Sequence, residues 1–433
     1  MPVIPAAERG YAAGDAYVIG LLFCGIAVLA AIGALSHERE RAFSASLVYL
    51  ALGAGAALLV EAADIAWVDP LEDAELVERI AELAVIIALF GTGLKLDRPL
   101  TWSAWSGVIR LLAIAMPLTI AGVVALGTGL LGLSFGAAVV LGAILAPTDP
   151  VLAGDIGVGP PGDEDEHEPN FSVTGEAGLN DGLALPFLFL GLFALDPGGT
   201  SWLGEWLLAD VLYAVVAGGA IGAALGWAMA AGAIRLKERQ YLAPVFDGWL
   251  AIPVVLIIYG TTELVGAYGF IAAFAGGLAF RRYERTHEHN ARVHEGAEVV
   301  EKFGELAAIL LLGSMLTFAG LGEVGLEGWI LIILLLCLVR PLAVGVSLLA
   351  SGLPREERAF VSWFGVRGIG SLYYVAVALG SGYLAAGDAR LITWIVLAAV
   401  AVSIVTHGVT ATPLSRRLLP PEAQTPGIAQ RGD

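Results

Sequence analysis

Long apolar runs recur along this chain from one end to the other. Many exceed eighteen residues, the length that a helix needs to cross a bilayer core of about 30 Å. Of the 433 residues, 58% are hydrophobic and 15% are charged, whereas a soluble domain is about 25% charged. Backbone polar groups inside lipid must pair within their own segment, so each run is expected to be helical. The sequence predicts an all-α polytopic membrane protein that is embedded in a lipid bilayer.

The apolar runs predict about thirteen transmembrane helices. The candidate spans lie near 17–35, 45–66, 75–94, 105–127, 134–154, 172–194, 207–233, 248–264, 266–280, 299–320, 328–350, 357–380 and 390–414. No polar stretch between them is long enough to bury a core of its own. We therefore predict one transmembrane domain over 1–420 and a short, disordered cytoplasmic tail over 421–433.

Basic residues are distributed unequally between the two sets of loops. The loops after the odd-numbered spans and the C-terminal end hold most of the lysines and arginines, while the opposite set holds only Arg9, Arg79 and Arg390. Cytoplasmic loops carry the excess of basic residues, so we predict an outside N-terminus and a cytoplasmic C-terminus in the cell membrane. The net charge of −18 makes nucleic acid an unlikely partner.

The fifth span contains a predicted helix break. In "APTDPV" (146–151), Pro147 and Pro150 bracket Thr148 and Asp149. Each proline lacks an N–H and clashes with the preceding turn, so the helix should unwind here. Backbone groups freed inside a membrane are tolerated only where protein or a water-filled cavity satisfies them.

The twelfth span contains a second predicted break, where Gly365, Gly368 and Gly370 surround Arg367. The two breaks are seven spans apart. Because this number is odd, the second interrupted span crosses the membrane in the opposite direction to the first. Interrupted segments at matching positions of two inverted repeats mark the substrate site of many transporters. The pattern therefore predicts two inverted repeats with interrupted fifth and twelfth helices.

The sixth span carries polar residues in "GEAGLNDG" (175–182). Glu176 and Asn180 are four residues apart and share a helix face, with Asp181 about 100° further round. Facing the fifth-span break, a carboxylate here would meet Thr148, Asp149 and free carbonyls. Such oxygens suit a monovalent cation. Desolvation generally raises the pKa of a buried carboxylate, so a proton and a cation would compete for one site.

Arg367 needs a counter-ion, because an unpaired guanidinium inside a membrane is costly. Glu176 or Asp149 could supply it, and these charges could also serve only to hold helices together. We expect the other polar residues near the span ends and in the loops to be solvated, capping or snorkelling groups. They are Glu263, Glu305, Arg110, Arg340 and the loop residues His287, His289 and His294.

Four motifs together resemble a known family, the monovalent cation:proton antiporters of the sodium/proton exchanger type. They are "LFGTGLKLD" (89–97), "APTDPV", "GEAGLNDG" and "FGVRGIGSL" (364–372), in the family's order. The resemblance is to the prokaryotic members without a regulatory soluble domain. It implies electroneutral exchange of Na⁺ or K⁺ for H⁺ by alternating access, in a homodimer that needs no cofactor.

The resemblance also implies roles for individual residues. Asp181 would bind the cation or the proton with Asn180 as its amide partner, and Thr148 and Asp149 would line the site. Glu82 on the third span would approach the ion.

By the same resemblance, Glu176 and Arg367 would form a structural ion pair. The family commonly has serine where this chain has Ala177, so a hydroxyl ligand is missing and sodium preference does not follow.

Two alternatives come from other classes of protein. One is a proton-coupled transporter of another solute, which would need a larger cavity. The other is an intramembrane aspartyl protease that uses Asp149 and Asp181. The Gly-Asp catalytic signature of such proteases is absent from both positions, and a proline-bracketed aspartate is more typical of an ion site.

Overall fold

The computed structural model describes residues 16–36, 44–62, 67–152, 156–159, 167–196, 198–241, 244–285 and 291–420. The tail 421–433, His287, His289 and residues 162–166 of the acidic loop lie outside these ranges. The described chain is helical and contains no strand. We number the helices α1 Ala16–Ser36, α2 Ala45–Ala62, α3 Ala74–Lys95, α4 Ser106–Leu130, α5 Phe135–Leu145, α6 Glu168–Phe193, α7 Leu203–Glu238, α8 Ala251–Glu263, α9 Gly269–Glu284, α10 Ala291–Met315, α11 Gly325–Ser347, α12 Arg355–Trp363, α13 Ile369–Gly380 and α14 Ala386–Leu418.

Each predicted span overlaps one of these helices, and both predicted breaks are present. α5 ends at Leu145, two residues before Pro147, and the proline does not continue the helix because it lacks an N–H and its ring clashes with the preceding turn. The twelfth span is divided into α12 and α13 by a non-helical stretch, 364–368. In the described chain, five helices are long and apolar enough to cross a membrane by themselves, namely α2, α4, α7, α11 and α14.

The helices pack as two bundles. The core bundle contains α4, α5, α6, α11, α12, α13 and α14, and the scaffold bundle contains α1, α2, α3, α7, α8, α9 and α10. Within the scaffold bundle, α9 packs on α7 and α3, while α10 packs on α2 and α3. The two bundles meet chiefly where α13 lies against α3 and where α6 lies against α9. Both breaks therefore belong to the core bundle and lie close to its boundary with the scaffold bundle.

Loops that the basic-residue bias assigns to one face contact each other. The Arg281 guanidinium, at the end of α9, donates to both carboxylate oxygens of Asp97, at distances of 2.8 Å. Arg98 forms an ion pair with Glu168, the first residue of α6. Arg98 also lies over the Phe171 ring, 4.2 Å from its centroid. The ends of α3 and α9 and the start of α6 thus meet on the same side of the molecule.

Candidate cation-binding site

The two interruptions lie directly against each other. The backbone N–H of Asp149 donates to the carbonyl of Val366, with an N–O distance of 2.9 Å. The Ser371 hydroxyl, on α13, donates to the carbonyl of Ile144 near the end of α5 at 2.8 Å. Each broken segment therefore satisfies a backbone group of the other, as a non-helical backbone inside a membrane requires.

The Asp149 carboxylate is fully engaged with backbone donors. Its Oδ1 accepts from the N–H groups of Val151 (2.9 Å) and Leu152 (3.0 Å). Its Oδ2 accepts from the N–H of Ile369 at 2.6 Å. Since Ile369 is the first residue of α13, a buried carboxylate caps that helix and complements its positive end. A cation bound by Asp149 would have to share oxygens that already accept hydrogen bonds.

Asp181 and Asn180, both on α6, have a different environment. The Asn180 amide nitrogen donates to the Thr148 hydroxyl at 2.8 Å, which brings the sixth span to the first break. Asn180 is 1% exposed and Asp181 is 2% exposed. Within the described chain, neither Asn180 Oδ1 nor Asp181 Oδ2 has a hydrogen-bond partner. Buried oxygens of this kind are rare and call for a water molecule, a proton or an ion.

The glycines of the second break provide clearance for charged side chains. A Cβ atom would lie 2.5 Å from Asp181 Oδ1 at Gly370, 2.1 Å from Asp149 Oδ2 at Gly368, and 2.6 Å from Arg340 Nε at Gly365. These separations are shorter than any normal contact with a carbon atom. The sequence indicated these glycines as helix breakers, and the structure adds that any larger residue would collide with the site.

The predicted ion pair between Glu176 and Arg367 is wrong. Glu176 pairs instead with Arg340 of α11, and both Nη atoms lie 2.6 Å from its carboxylate oxygens. Each side chain is 1% exposed, so Arg340 does not snorkel as expected. Arg367 donates through Nη1 to the Gly365 carbonyl at 2.5 Å. The rotation of α11 about its own axis determines that Arg340 faces Glu176 on α6. The positions of the spans in the sequence do not predict this rotation.

Sequence reasoning also missed His407 on α14, which supports the second break. Its Nε2 lies 3.1 Å from the carbonyl of Trp363, the last residue of α12. Its Nδ1 lies 3.1 Å from the Ser403 hydroxyl, which accepts from the N–H of Arg367 at 2.7 Å. With its proton on Nε2, a neutral imidazole donates to the Trp363 carbonyl and accepts from the Ser403 hydroxyl, and its Nδ1 then faces the Ser403 carbonyl at 2.9 Å without a hydrogen bond. His407 and Ser403 thus hold backbone groups on both sides of the break.

Replacing His407 by alanine is expected to destabilise the protein by about 1–3 kcal/mol, because the Trp363 carbonyl would lose its donor inside the protein. Thermal unfolding in detergent measures this loss. Thr410→Val is the matched control, since Thr410 accepts from the Trp363 indole at 3.0 Å, one turn along the same helix. Equal stability of the wild type and His407→Ala would contradict a supporting role.

The structure does not bring Glu82 to Asp181. Glu82 accepts from the Tyr259 hydroxyl and lies 3.3 Å from Arg79. The Tyr259 ring contacts Phe270 (centroids 6.1 Å apart), and Phe270 contacts Tyr374 (6.4 Å). Tyr374 in turn donates to the backbone carbonyl of Asp181. A chain of contacts through aromatic side chains thus runs from Glu82 to the backbone of Asp181.

Two interrupted helices that lie against each other beside buried carboxylates are typical of one class of membrane protein, the secondary transporters. The sodium/hydrogen exchanger transmembrane family matches residues 18–417. The chain belongs to this family, and the protease interpretation is set aside because the relatives are transporters.

Individual relatives are about a quarter identical to this chain over the residues that align. The Na⁺/H⁺ antiporter 2 of Zygosaccharomyces rouxii is 28% identical over 68% of this chain and 38% of its own length. The K⁺/H⁺ antiporter NhaP of Alkalimonas amylolytica is 26% identical over 78% of this chain and 57% of its own length. The chain thus spans less than two thirds of these curated relatives.

Among solved structures, the sodium proton antiporter MjNhaP1 from Methanocaldococcus jannaschii has a similar fold. The TM-score is 0.69 at 18% identity, over 93% of this chain and 98% of that one. A second structure of the same antiporter, at pH 8, gives a TM-score of 0.65. The similarity covers both bundles, so the fold is that of an antiporter of this type.

Proposed function

We propose that this protein exchanges a monovalent cation, Na⁺ or K⁺, for H⁺ by alternating access at Asp181. The observation that carries the proposal is the contrast between two neighbouring carboxylates. Asp149 uses both oxygens to bind backbone N–H groups, whereas Asp181 Oδ2 accepts no hydrogen bond within the described chain. Asp181 is therefore the carboxylate that is available to a transported ion.

The chemistry of exchange follows from burial. A carboxylate removed from water is stable only when a proton or a cation neutralises it, because an isolated buried charge is very costly. Asp181 would hold one of the two at a time, with Asn180 Oδ1 and Thr148 as further hard oxygen ligands. Ala177, which is fully buried, supplies no ligand. Relatives carry both Na⁺/H⁺ and K⁺/H⁺ names, and we propose a monovalent cation without choosing between them.

A likeness between two of the three π-helical segments in the described chain supports thirteen spans with two inverted repeats; the third segment, Leu207–Tyr213, lies in α7. α4 contains a π-helical segment, Leu111–Ala115, followed by Met116-Pro117. α11, seven spans later, contains Leu335–Val339, followed by Arg340-Pro341. The two breaks have the same seven-span offset. We propose a repeated unit in which the fourth and fifth spans correspond to the eleventh and twelfth. This unit accounts for the two π-helical segments and for the two breaks.

We further propose a cell-membrane location, with the N-terminus outside and the C-terminus in the cytoplasm. The basic-residue bias supports this orientation. The contacts among the loops after α3 and α9 and before α6 agree with their sharing one face. A homodimer is proposed from the family resemblance alone.

The test is cation-driven proton movement in sealed vesicles that contain the purified full chain. Addition of Na⁺, K⁺ or Li⁺ in turn is expected to release protons from acid-loaded vesicles for at least one of these ions. A proton-coupled transporter of another solute would respond to that solute and to none of the cations. Absence of a response to every cation across pH 5–9 would overturn the proposed exchange.

Exchange is expected to be electroneutral. Asn180 cannot carry a proton away, Asp149 stays bound to backbone donors, and Glu176 stays paired with Arg340. One carboxylate then alternates between one proton and one cation, so no net charge moves in a cycle. The measurement uses Na⁺ gradients while valinomycin and K⁺ clamp the membrane potential, and the rate should not depend on voltage. A voltage-dependent rate would mean that a second charge moves, and Glu82→Gln would be the first variant to make.

A further inference from the structure

The turn of α6 that carries Asp181 is followed by a proline inside the helix. Pro186 has no N–H to donate to the carbonyl of Gly182, four residues earlier, and its ring crowds that carbonyl. The backbone beside Asp181 therefore lacks one of the hydrogen bonds that keep a helix rigid. The position of Asp181 consequently depends on contacts with other helices.

Two other helices contact this turn. On the α9 side, a Cβ atom at Gly182 would lie 2.3 Å from Cγ1 of Ile271, so the two helices pack in close contact. On the α13 side, Gly370 lies against the Asp181 carboxylate, and the Tyr374 hydroxyl donates to the Asp181 backbone carbonyl. Gly370 and Tyr374 are four residues apart and share one face of α13. That face therefore contacts both the side chain and the backbone of Asp181.

Packing holds the Tyr374 hydroxyl in place. Tyr374 is 0% exposed, and its ring contacts Phe270 of α9, with centroids 6.4 Å apart, and Tyr373, with centroids 5.3 Å apart. As part of α6, the Asp181 carbonyl is also the acceptor for the N–H of Leu185. The tyrosine thus adds a tertiary hydrogen bond to a carbonyl that already has a helical one. Loss of the added bond leaves no buried carbonyl unpaired, so its main effect is on the position of Asp181.

We propose that Tyr374 is a positioning residue for the cation site. Its hydrogen bond holds Asp181 in line with the other oxygen ligands, which belong to Asn180 and Thr148. This inference rests on the proposed exchange at Asp181 and adds a residue to it. A cation requires several oxygens that converge on one point, whereas a proton binds to a single carboxylate oxygen. A displaced Asp181 therefore binds the cation more weakly and still binds the proton.

The neighbouring residue on α13 offers a matched control. Tyr373 contacts the same Phe270 ring, with centroids 4.8 Å apart. Within the described chain, the Tyr373 hydroxyl forms no hydrogen bond. Tyr373→Phe and Tyr374→Phe therefore remove the same atom from adjacent positions of one helix and keep both rings. Only the second change removes a bond to Asp181.

The experiment measures cation-driven proton release from sealed vesicles that contain the full chain, at several pH values, with Na⁺ and K⁺ as probes. Tyr374→Phe is expected to raise the half-saturating cation concentration about threefold to tenfold and to change the rate at saturating cation less than about twofold. The factor should be the same at every pH, because competition by the proton is unchanged. Tyr373→Phe should alter neither quantity. A smaller amount of folded protein would lower the maximal rate and leave the half-saturating concentration unchanged.

A rescue variant tests the reason for this effect. Pro186→Ala supplies the N–H that the Gly182 carbonyl lacks, so the turn no longer depends on α13 for its position. In the Pro186→Ala background, Tyr374→Phe is expected to raise the half-saturating concentration less than about twofold, because the two changes act on the same turn.

Each other outcome is decisive. The positioning role is overturned by an unchanged half-saturating concentration in Tyr374→Phe, by an equal change in Tyr373→Phe, or by an equal effect in both Pro186 backgrounds. Failure of Tyr374→Phe to fold also overturns it, because the hydroxyl would then be needed for stability. A wild type that moves no protons in response to any cation overturns the exchange function itself, whereas exchange in the wild type with these variants unchanged overturns only the role of Tyr374.

Discussion

Replacing Asp181 by asparagine is expected to abolish cation-driven proton movement, to the level of vesicles without protein. The asparagine amide has the same shape as a carboxylic acid, but it neither releases a proton nor neutralises a cation. Folding should be retained, because Asp181 Oδ2 accepts no hydrogen bond within the described chain and no structural contact of that atom is lost. Exchange assays and thermal unfolding in detergent, on the same preparation, measure the two effects. Undiminished exchange would remove Asp181 from the mechanism.

Asp149→Asn is the informative comparison. Asparagine has one acceptor oxygen, so it cannot satisfy the N–H groups of Val151, Leu152 and Ile369 together. Leaving a buried donor unpaired costs about 1–3 kcal/mol, and this variant should therefore lose stability. The prediction is that Asp181→Asn is inactive and stable, while Asp149→Asn is destabilised. The opposite pattern would reverse the roles of the two carboxylates.

Replacing Arg340 by alanine is expected to produce the largest loss of stability. Arg340 and Glu176 form a bidentate pair with both side chains 1% exposed. Removal of one member of such a pair leaves the other charge buried and uncompensated, which typically costs about 3–5 kcal/mol. Thermal unfolding of the detergent-solubilised protein measures the effect. The removed side chain also packs against Gly365, so the second break should loosen as well.

Two further variants separate the ion pair from general damage to the core. Arg340→Met combined with Glu176→Gln removes both charges and should recover most of the lost stability, since no charge is then left alone. Arg367→Ala should cost less than Arg340→Ala, because in the described chain Arg367 forms no ion pair within 4.0 Å and donates one side-chain hydrogen bond. If Arg367→Ala were the more damaging change, the assignment of the Glu176 partner would be wrong.

The contacts of Glu82 bear on the role that the family resemblance gives it. The carboxylate bonds to Tyr259, and the Tyr259, Phe270 and Tyr374 rings form a chain of contacts that ends at the backbone of Asp181. Glu82 stays a predicted ligand of the ion.

The sequence by itself determined the class of protein, the helices and the positions of both breaks. These follow from local physics, because a long apolar run must form a helix in lipid and Pro147 or a cluster of glycines interrupts one. The motifs around Asp181 and Asn180 also predict a transport carboxylate and its amide partner, and the Asn180 contact with Thr148 agrees with a site at the first break.

Only the tertiary structure decided which groups meet. Glu176 and Arg340 are 164 residues apart, and Ser46 and Glu305 are 259 apart, so the rotation and depth of each helix in its bundle determine these pairs. Hydrophobic periodicity is weak where a helix is apolar all round, and the sequence therefore placed Arg340 at a membrane edge and Glu305 in solvent. Packing also places two aspartates, which have the same side-chain chemistry, in different environments. Asp149 meets the start of α13 and caps that helix, while Asp181 lies against Gly370 and keeps an oxygen that accepts no hydrogen bond within the described chain.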